Sequence, residues 1–457
     1  MPDHVHRTWH VDEHPHMPKG VQPNVPPSRS GGTKSSPGLV AEGLRSLRDR
    51  RARTDGMRCG GMVTGGFSPR GLARVRELLE RQVESGFVPG AVAVLGRHGE
   101  VHVEAAGTIA FEGEGAGTPM AADTICRTAS MTKPMVAACA MTLVDDGTLR
   151  LDEPVDDLLP ELADMTVLAD FHGPLDDTVA AQRPITLWDL LSFTCGIGMI
   201  PTRPGRVPIV DALNALDYAS PDEWMRGLGA LPLAYQPGER WMYDTASNVI
   251  GVLIARATGM SFGDAFRERI CDPLGMKDTA FSVRGEDIGR FATAYQRASA
   301  VTGGQVVDDG PDGQWSRPPT FESGAAGLVS TAQDYFAFAS ALLAGGSHGG
   351  RRVLSRPSVT LMTTDQLTSE QRAGSGFHPG FFDEMGWGLG MSVRSHRSPF
   401  GQSVGSYGWC GFYGTAWYND PEQDMTAIFF MQRAHTGDQR LPMWHDLWTA
   451  VYQAIEN

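Results

Sequence analysis

Residues 128–143 restrict what this chain can fold into more than any other stretch. Thr128-Ala-Ser-Met-Thr-Lys133 leads into the run Pro134 to Leu143, and the segment is apolar nearly all round. Such a helix lies inside a protein. Lys133 is the one charge in it, and Ser130, three positions earlier, shares its helical face. A buried ammonium is costly unless it is paired or at work. A serine hydroxyl needs a neighbouring base to attack an acyl group, and a Lys deprived of water can supply one because burial favours its neutral form. Amide N–H groups at the start of the helix are free to hold a developing oxyanion. The same residues would also fit a helix cap followed by a solvated Lys, so the pattern needs support from elsewhere. One fact favours chemistry: of the four Lys residues (Lys19, Lys34, Lys133, Lys277), only Lys133 has a Ser three positions before it.

Charge excludes several classes of function. The net charge is −14, and it is unevenly spread: residues 1–70 hold 11 Lys+Arg against 6 Asp+Glu, the remainder 28 against 47. An acidic body argues against binding nucleic acid through its phosphates and against attraction to anionic lipid. With 41% hydrophobic residues in 457, the chain can bury a large core. No apolar run approaches the roughly 18–20 residues of a membrane span, and no apolar signal core opens the chain. Cys59, Cys126, Cys139, Cys195, Cys271 and Cys410 lack paired metal-ligand spacing and read as reduced thiols. The expectation is a cytoplasmic protein with no metal and no cofactor, acting on a small molecule; its oligomeric state is not legible.

Residues 1–68, rich in Pro, Gly, Ser and His with Arg clustered from Arg45 to Arg58, read as a disordered tail, or as a segment upstream of a true start at Met57 or Met62. Ser68 caps a helix that begins at Pro69, carries Leu72, Val75, Leu78, Leu79 and Val83 at helical spacing, and stops at Gly86. Gly90–Gly96 and Val101–Ala106 read as a hairpin turning at His98-Gly99, which implies an antiparallel sheet. From Leu149 to about Val283 the chain is helical and irregular, with Thr186 positioned to cap a short helix and an apolar helix from Val249 to Thr258. Ser330-Thr-Ala-Gln333 reads as a capping box for a helix to Leu343. Strands are expected at Gly386–Val393, Phe412–Tyr418 and Met425–Met431, and a last helix at Pro442–Ile455. The domain expectation is therefore a sheet domain from 69–148 plus 320–457, with a helical domain inserted at 149–319.

Four separated segments share an order. Ser130-x-x-Lys133, Tyr243 in a Pro-Gly-Glu-x-x-x-Tyr context, Pro273-Leu-Gly-Met276, and Trp409-Cys-Gly411 resemble, in sequence, the motifs of serine β-lactamase-like hydrolases, most of all the family VIII carboxylesterases related to class C β-lactamases. The resemblance covers roughly residues 70–455. It implies an α+β, β-lactamase/transpeptidase-like fold: an antiparallel sheet flanked by the N- and C-terminal helices, with an inserted mainly helical domain. It also implies Ser130 as the acyl-accepting nucleophile, Lys133 as a proton acceptor, and Tyr243 as the group passing a proton to the leaving group. A phenolate-like oxygen beside a Lys ammonium is a reasonable base, since the neighbouring charge lowers the Tyr pKa.

Trp409 stands where β-lactamases and penicillin-binding proteins carry the Lys of Lys-Thr-Gly. A neutral indole weakens recognition of carboxylate-bearing substrates and favours neutral esters. Gly411 and the N–H of Phe412 are expected at the oxyanion site, and Thr245 stands where Tyr-x-Asn carries its Asn. A competing motif is Gly401-Gln-Ser-Val-Gly405, the nucleophile-elbow pattern, yet no helix signal follows it. The resulting expectation is an acyl-enzyme-forming carboxylesterase on short or medium neutral esters. Its alternatives are an acyltransferase, a β-lactamase or D-amino-peptidase-type hydrolase acting on an amide, and a catalytically inactive binding module of the same fold.

Overall fold

A computed structural model describes residues 65–199, 205–297, 305–375, 377, 380–434 and 442–456. The expectation for the N-terminal tail lies outside them. Helix α1 (Pro69–Glu84) begins where the Ser68 hydroxyl accepts the Gly71 N–H, and it buries Leu72, Val75, Leu78 and Leu79. Strands β1 (Gly90–Arg97) and β2 (Glu100–Gly107) form a hairpin. His98 (φ 50°) and Gly99 (φ 79°) turn it, both with the positive φ that a tight two-residue turn between right-twisted strands demands. After β3 (Ile125–Arg127), a 3₁₀ turn at Ala129–Met131 runs into α2 (Thr132–Asp145), and Gly147 (φ 80°) follows its end. Helix α3 is Thr245–Thr258, β4 is Val329–Thr331 and α4 is Ala332–Leu343. The chain closes with β5 (Met385–Trp387), β6 (Ser392–Arg394), β7 (Tyr407–Gly411), β8 (Thr415–Asp420), β9 (Met425–Met431) and α5 (Pro442–Gln453).

Seven strands make one antiparallel sheet in the order β5-β6-β7-β8-β9-β1-β2, so the N-terminal hairpin docks on the last strand. Every residue of β1 and of β9 is buried, because helices cover both faces. Alternation assigns them: Ala91, Ala93, Leu95, Phe429 and Met431 pack with α1 and α5, whereas Val92, Val94, Ile428 and Phe430 join the larger core around α2, α3 and α4. A separate pairing of β3 with β4 ties the strand before Ser130 to α4. Among the described residues no single helix is long and apolar enough to cross a membrane.

Three local expectations change. Gly386–Val393 is two short strands rather than one; the chain turns at Gly390 (φ 83°), where an added Cβ would lie 2.3 Å from that of Ala137 on α2. Phe412–Tyr418 is also not one strand: Phe412–Gly414 is the turn between β7 and β8. Helix α4 is capped by Thr331, whose hydroxyl accepts the Asp334 N–H, because Ser330 is still paired in the ladder with Cys126.

The Asp334 carboxylate is buried. It accepts the Asp278 N–H (2.8 Å) and the Thr279 hydroxyl (3.1 Å). Burial nonetheless pushes its pKa from 3.8 to about 6. The folded-state value exceeds the unfolded one, so the protonated acid stabilises the fold below about pH 4, and that contribution is lost as pH rises through 6. Asp334→Asn, which keeps an acceptor there, is expected to flatten the wild-type fall in melting temperature between pH 4 and 7, as read by thermal unfolding at matched ionic strength.

Candidate active site

Ser130 sits in the 3₁₀ turn ahead of α2 rather than in the α-helix itself, and it is half-buried. The preceding residue, Ala129, has φ 47°, a left-handed conformation costing about 1–2 kcal/mol for a residue with a Cβ. Surrounding elements hold the turn in place. The Thr128 carbonyl accepts the Thr415 hydroxyl of β8 (3.0 Å), the Thr128 hydroxyl donates to the Leu328 carbonyl (2.8 Å), and Tyr335 of α4 donates to the Met131 carbonyl (3.0 Å). Gly411 on β7 belongs to the same contact: a Cβ there would lie 2.2 Å from the Thr128 carbonyl oxygen and from Thr415 Oγ1. Its need for glycine is close approach of two backbones, not a special φ.

Lys133 is 1% exposed. Its Nζ lies 3.1 Å from Ser130 Oγ, 2.8 Å from the Ala325 carbonyl oxygen and 2.6 Å from Asp244 Oδ1, and 4.4 Å from the centre of the Tyr243 ring. Burial pulls the Lys133 pKa below the ordinary ammonium value, while the charge and hydrogen bond of Asp244 oppose that pull. The carbonyl of Ala325 is set by Asn248 of α3, whose side-chain oxygen accepts both the Ala325 N–H (3.0 Å) and the Ser323 hydroxyl (2.9 Å).

Tyr243 reaches the site from the segment before α3, anchored by its carbonyl, which accepts the Met199 N–H (2.7 Å). It is hydrogen-bonded to Ser130, and its oxygen accepts the indole N–H of Trp409 at 2.7 Å. Rings of Phe193, Trp241, Phe377, Trp387 and Trp409 surround it. The phenolate expectation is overturned: burial first, then the negative charge of Asp244, pushes the Tyr243 pKa well above the usual phenol value. Burial therefore favours the phenol form of Tyr243.

Sequence reasoning passed over Asp244. Its backbone (φ 82°, ψ −68°) makes a tight turn in which the Thr245 N–H reaches the Tyr243 carbonyl (3.2 Å), and this aims the carboxylate at Lys133. Thr245, at the Asn position of Tyr-x-Asn, is the first residue of α3, and the side chain paired with Lys133 is that of the residue before it. No motif or spacing in the sequence singles out Asp244. Asn248 and the Ala325 carbonyl carry no sequence signal beyond polar residues near small ones. Phe412 occupies the turn after β7, beside the Ser130 turn.

Ser403 of the competing Gly-x-Ser-x-Gly motif is fully buried, and no partner to its hydroxyl is found among the described residues. Turns follow it, not a helix. His445 stacks on Phe400 (4.1 Å between centroids), and His435 lies outside the described residues. Among the described residues no three His, Cys, Asp or Glu side chains are grouped as a metal site requires.

An antiparallel sheet wrapped by helices, with a half-buried serine held against a buried lysine and a tyrosine, defines a serine hydrolase-type fold. Residues 75–451 match the Beta-lactamase family, and the chain belongs to it. It is 37% identical over 366 residues to protein Rv1367c of Mycobacterium tuberculosis, covering 79% of this chain and 88% of that one. Esterase EstB of Burkholderia gladioli is 29% identical over 389 residues, 80% of this chain and 91% of the esterase. Among solved structures, EstCE1, a hydrolase with promiscuous acyltransferase activity, superposes with a TM-score of 0.67 at 25% identity, covering 84% of this chain and 99% of its own. Simvastatin synthase (LovD) from Aspergillus terreus shares the fold, with a TM-score of 0.70 at 24% identity over 85% of this chain and 98% of the synthase. The resemblance to β-lactamase-like hydrolases and their esterase branch therefore holds.

Two substitutions test this geometry. Gly411→Ala is expected to lower the unfolding free energy by about 1–3 kcal/mol, as overpacking does, seen as a fall in urea midpoint. Trp409→Phe keeps an apolar ring but removes the N–H held by Tyr243; kcat on an ester is expected to fall about tenfold with little change in KM, the sign of an interaction made mainly in the transition state.

Proposed function

We propose that the protein is a cofactor-independent carboxylesterase that forms an acyl-enzyme on Ser130 and acts on short- or medium-chain neutral esters. The observation that carries this reading is the 3.1 Å approach of the dry Lys133 amine to Ser130 Oγ, with Tyr243 hydrogen-bonded to the same hydroxyl.

The steps balance. Neutral Lys133 takes the Ser130 proton as Oγ bonds to the ester carbonyl carbon, and the oxyanion that forms faces the amide N–H groups of Ser130 and Phe412. Collapse breaks the carbon–oxygen bond to the alcohol, which receives the Tyr243 proton. The Lys133 ammonium and the Trp409 N–H stabilise the phenolate left behind. Water then gives a proton to that phenolate while its oxygen attacks the acyl carbon, and Ser130 leaves with the proton held on Lys133. Tyr243 acts as acid first and base second, which suits a group resting as a phenol.

Preference for neutral esters rests on Trp409: an indole offers no charge to a substrate carboxylate, and the half-buried Phe377 and Phe381 pack beside it as apolar surface. Acyl transfer to an alcohol or amine is the second reading, favoured by the likeness to EstCE1; it differs only in what replaces water. The Ser-Lys-Tyr set speaks against an inactive binding module. The test is intact-mass analysis after a fluorophosphonate probe, on the wild type, Ser130→Ala and Ser403→Ala, with turnover of p-nitrophenyl butyrate and nitrocefin. Labelling and ester turnover are expected to vanish in Ser130→Ala alone, with nitrocefin turned over far more slowly; loss in Ser403→Ala alone would overturn the assignment.

A further inference from the structure

We infer that Asp244 is a positioning residue of this site: its carboxylate orients the Lys133 amine so that the lone pair faces Ser130, and it stabilises the charge Lys133 acquires on taking the serine proton. The inference rests on the proposed Ser130–Lys133–Tyr243 chemistry and adds to it a fourth side chain.

Donor and acceptor counts set the orientation of the amine. A neutral Lys amine has two N–H donors and one lone pair. Two acceptors that cannot donate at their contact atoms, Asp244 Oδ1 (2.6 Å) and the Ala325 carbonyl oxygen (2.8 Å), lie against Nζ. With both N–H groups so engaged, the remaining direction, toward Ser130 Oγ at 3.1 Å, is that of the lone pair. With Lys133 as an ammonium, Nζ donates to Ser130 Oγ as well as to Asp244 and Ala325; once it is neutral, the direction toward Ser130 holds the lone pair, and the Ser130 hydroxyl turns to donate there. The backbone supports the assignment. Asp244 holds φ 82° and ψ −68°, a rare and strained γ-turn conformation, and this turn is what carries the carboxylate to Lys133.

The charged and titratable groups facing Lys133 are Asp244 and Tyr243, from the segment before α3, and Cys410 on β7; Tyr218 is in turn within electrostatic reach of Asp244. Asp244 is the carboxylate among them that pairs directly with Lys133. Burial weakens Lys133 as a base, and the carboxylate restores part of its basicity. Removing the carboxylate therefore makes the amine neutral at lower pH and a weaker proton acceptor.

Asp244→Asn fits the experiment because it removes the charge while keeping the shape of the side chain, and Asp244→Gly relaxes the turn while removing the side chain. The pH dependence of kcat/KM for p-nitrophenyl butyrate is measured for the wild type and both variants, with thermal melting of each. The expected result is an acid limb moved about 1–3 pH units lower in both variants, the range an opposite charge at this distance produces, together with a plateau kcat reduced about tenfold or more and KM nearly unchanged. An acid limb that stays in place overturns the inference, whether or not the plateau falls, because a purely structural role lowers the rate without moving the limb. Failure of the underlying reading looks different: there Ser130→Ala would keep its ester turnover and fluorophosphonate labelling.

Discussion

Everything at this site depends on keeping one amine out of water. Lys133 is enclosed by an apolar helix, a ring of aromatic side chains and the 323–327 loop, and desolvation is the largest influence on its charge. Left alone, a buried ammonium would be destabilising by several kcal/mol. Nearby acceptors offset that cost in part, and each comes from a different piece of chain: Ser130 from the turn before α2, Ala325 from the loop before β4, Asp244 from the turn before α3. The fold brings these three together, and its antiparallel sheet supplies the rigid backing.

Rigidity is spread over many contacts. The Ser130 turn contains a left-handed alanine, and such a conformation persists only where its surroundings over-determine it. They do so here through Thr415, Leu328 and Tyr335, and through the glycine at 411 that lets β7 touch the turn. Asp244 repeats the arrangement on the opposite side of Lys133, again as a non-glycine residue at positive φ. Two strained residues therefore flank the same amine, each aiming one group at it.

Aromatic rings line the site around the tyrosine. Trp409 occupies the strand position beside the tyrosine and contributes an N–H donor to it without a charge. Tyr243 is in consequence a phenol in an apolar box, which assigns it the role of acid before that of base in the proposed reaction. Apolar rings beside Trp409 extend the same character away from the reacting atoms, in keeping with an uncharged substrate.

Sequence by itself determined the features that follow from local chemistry. Ser68-Pro69 capped a helix, His98-Gly99 turned a hairpin, the unbroken apolar run after Lys133 demanded a buried helix, and the serine three residues before that lysine shared its face. These need only steric preference and periodicity. Tertiary structure decided what depends on distant chain segments. It placed β1 against β9, more than three hundred residues apart, and divided strands where Gly390 and Gly414 turn them. It paired Lys133 with Asp244, and it enclosed Tyr243 so that burial favours the phenol form. No local pattern encodes these outcomes, because a charge's pKa and an acceptor's direction are set by the neighbours that folding brings to them.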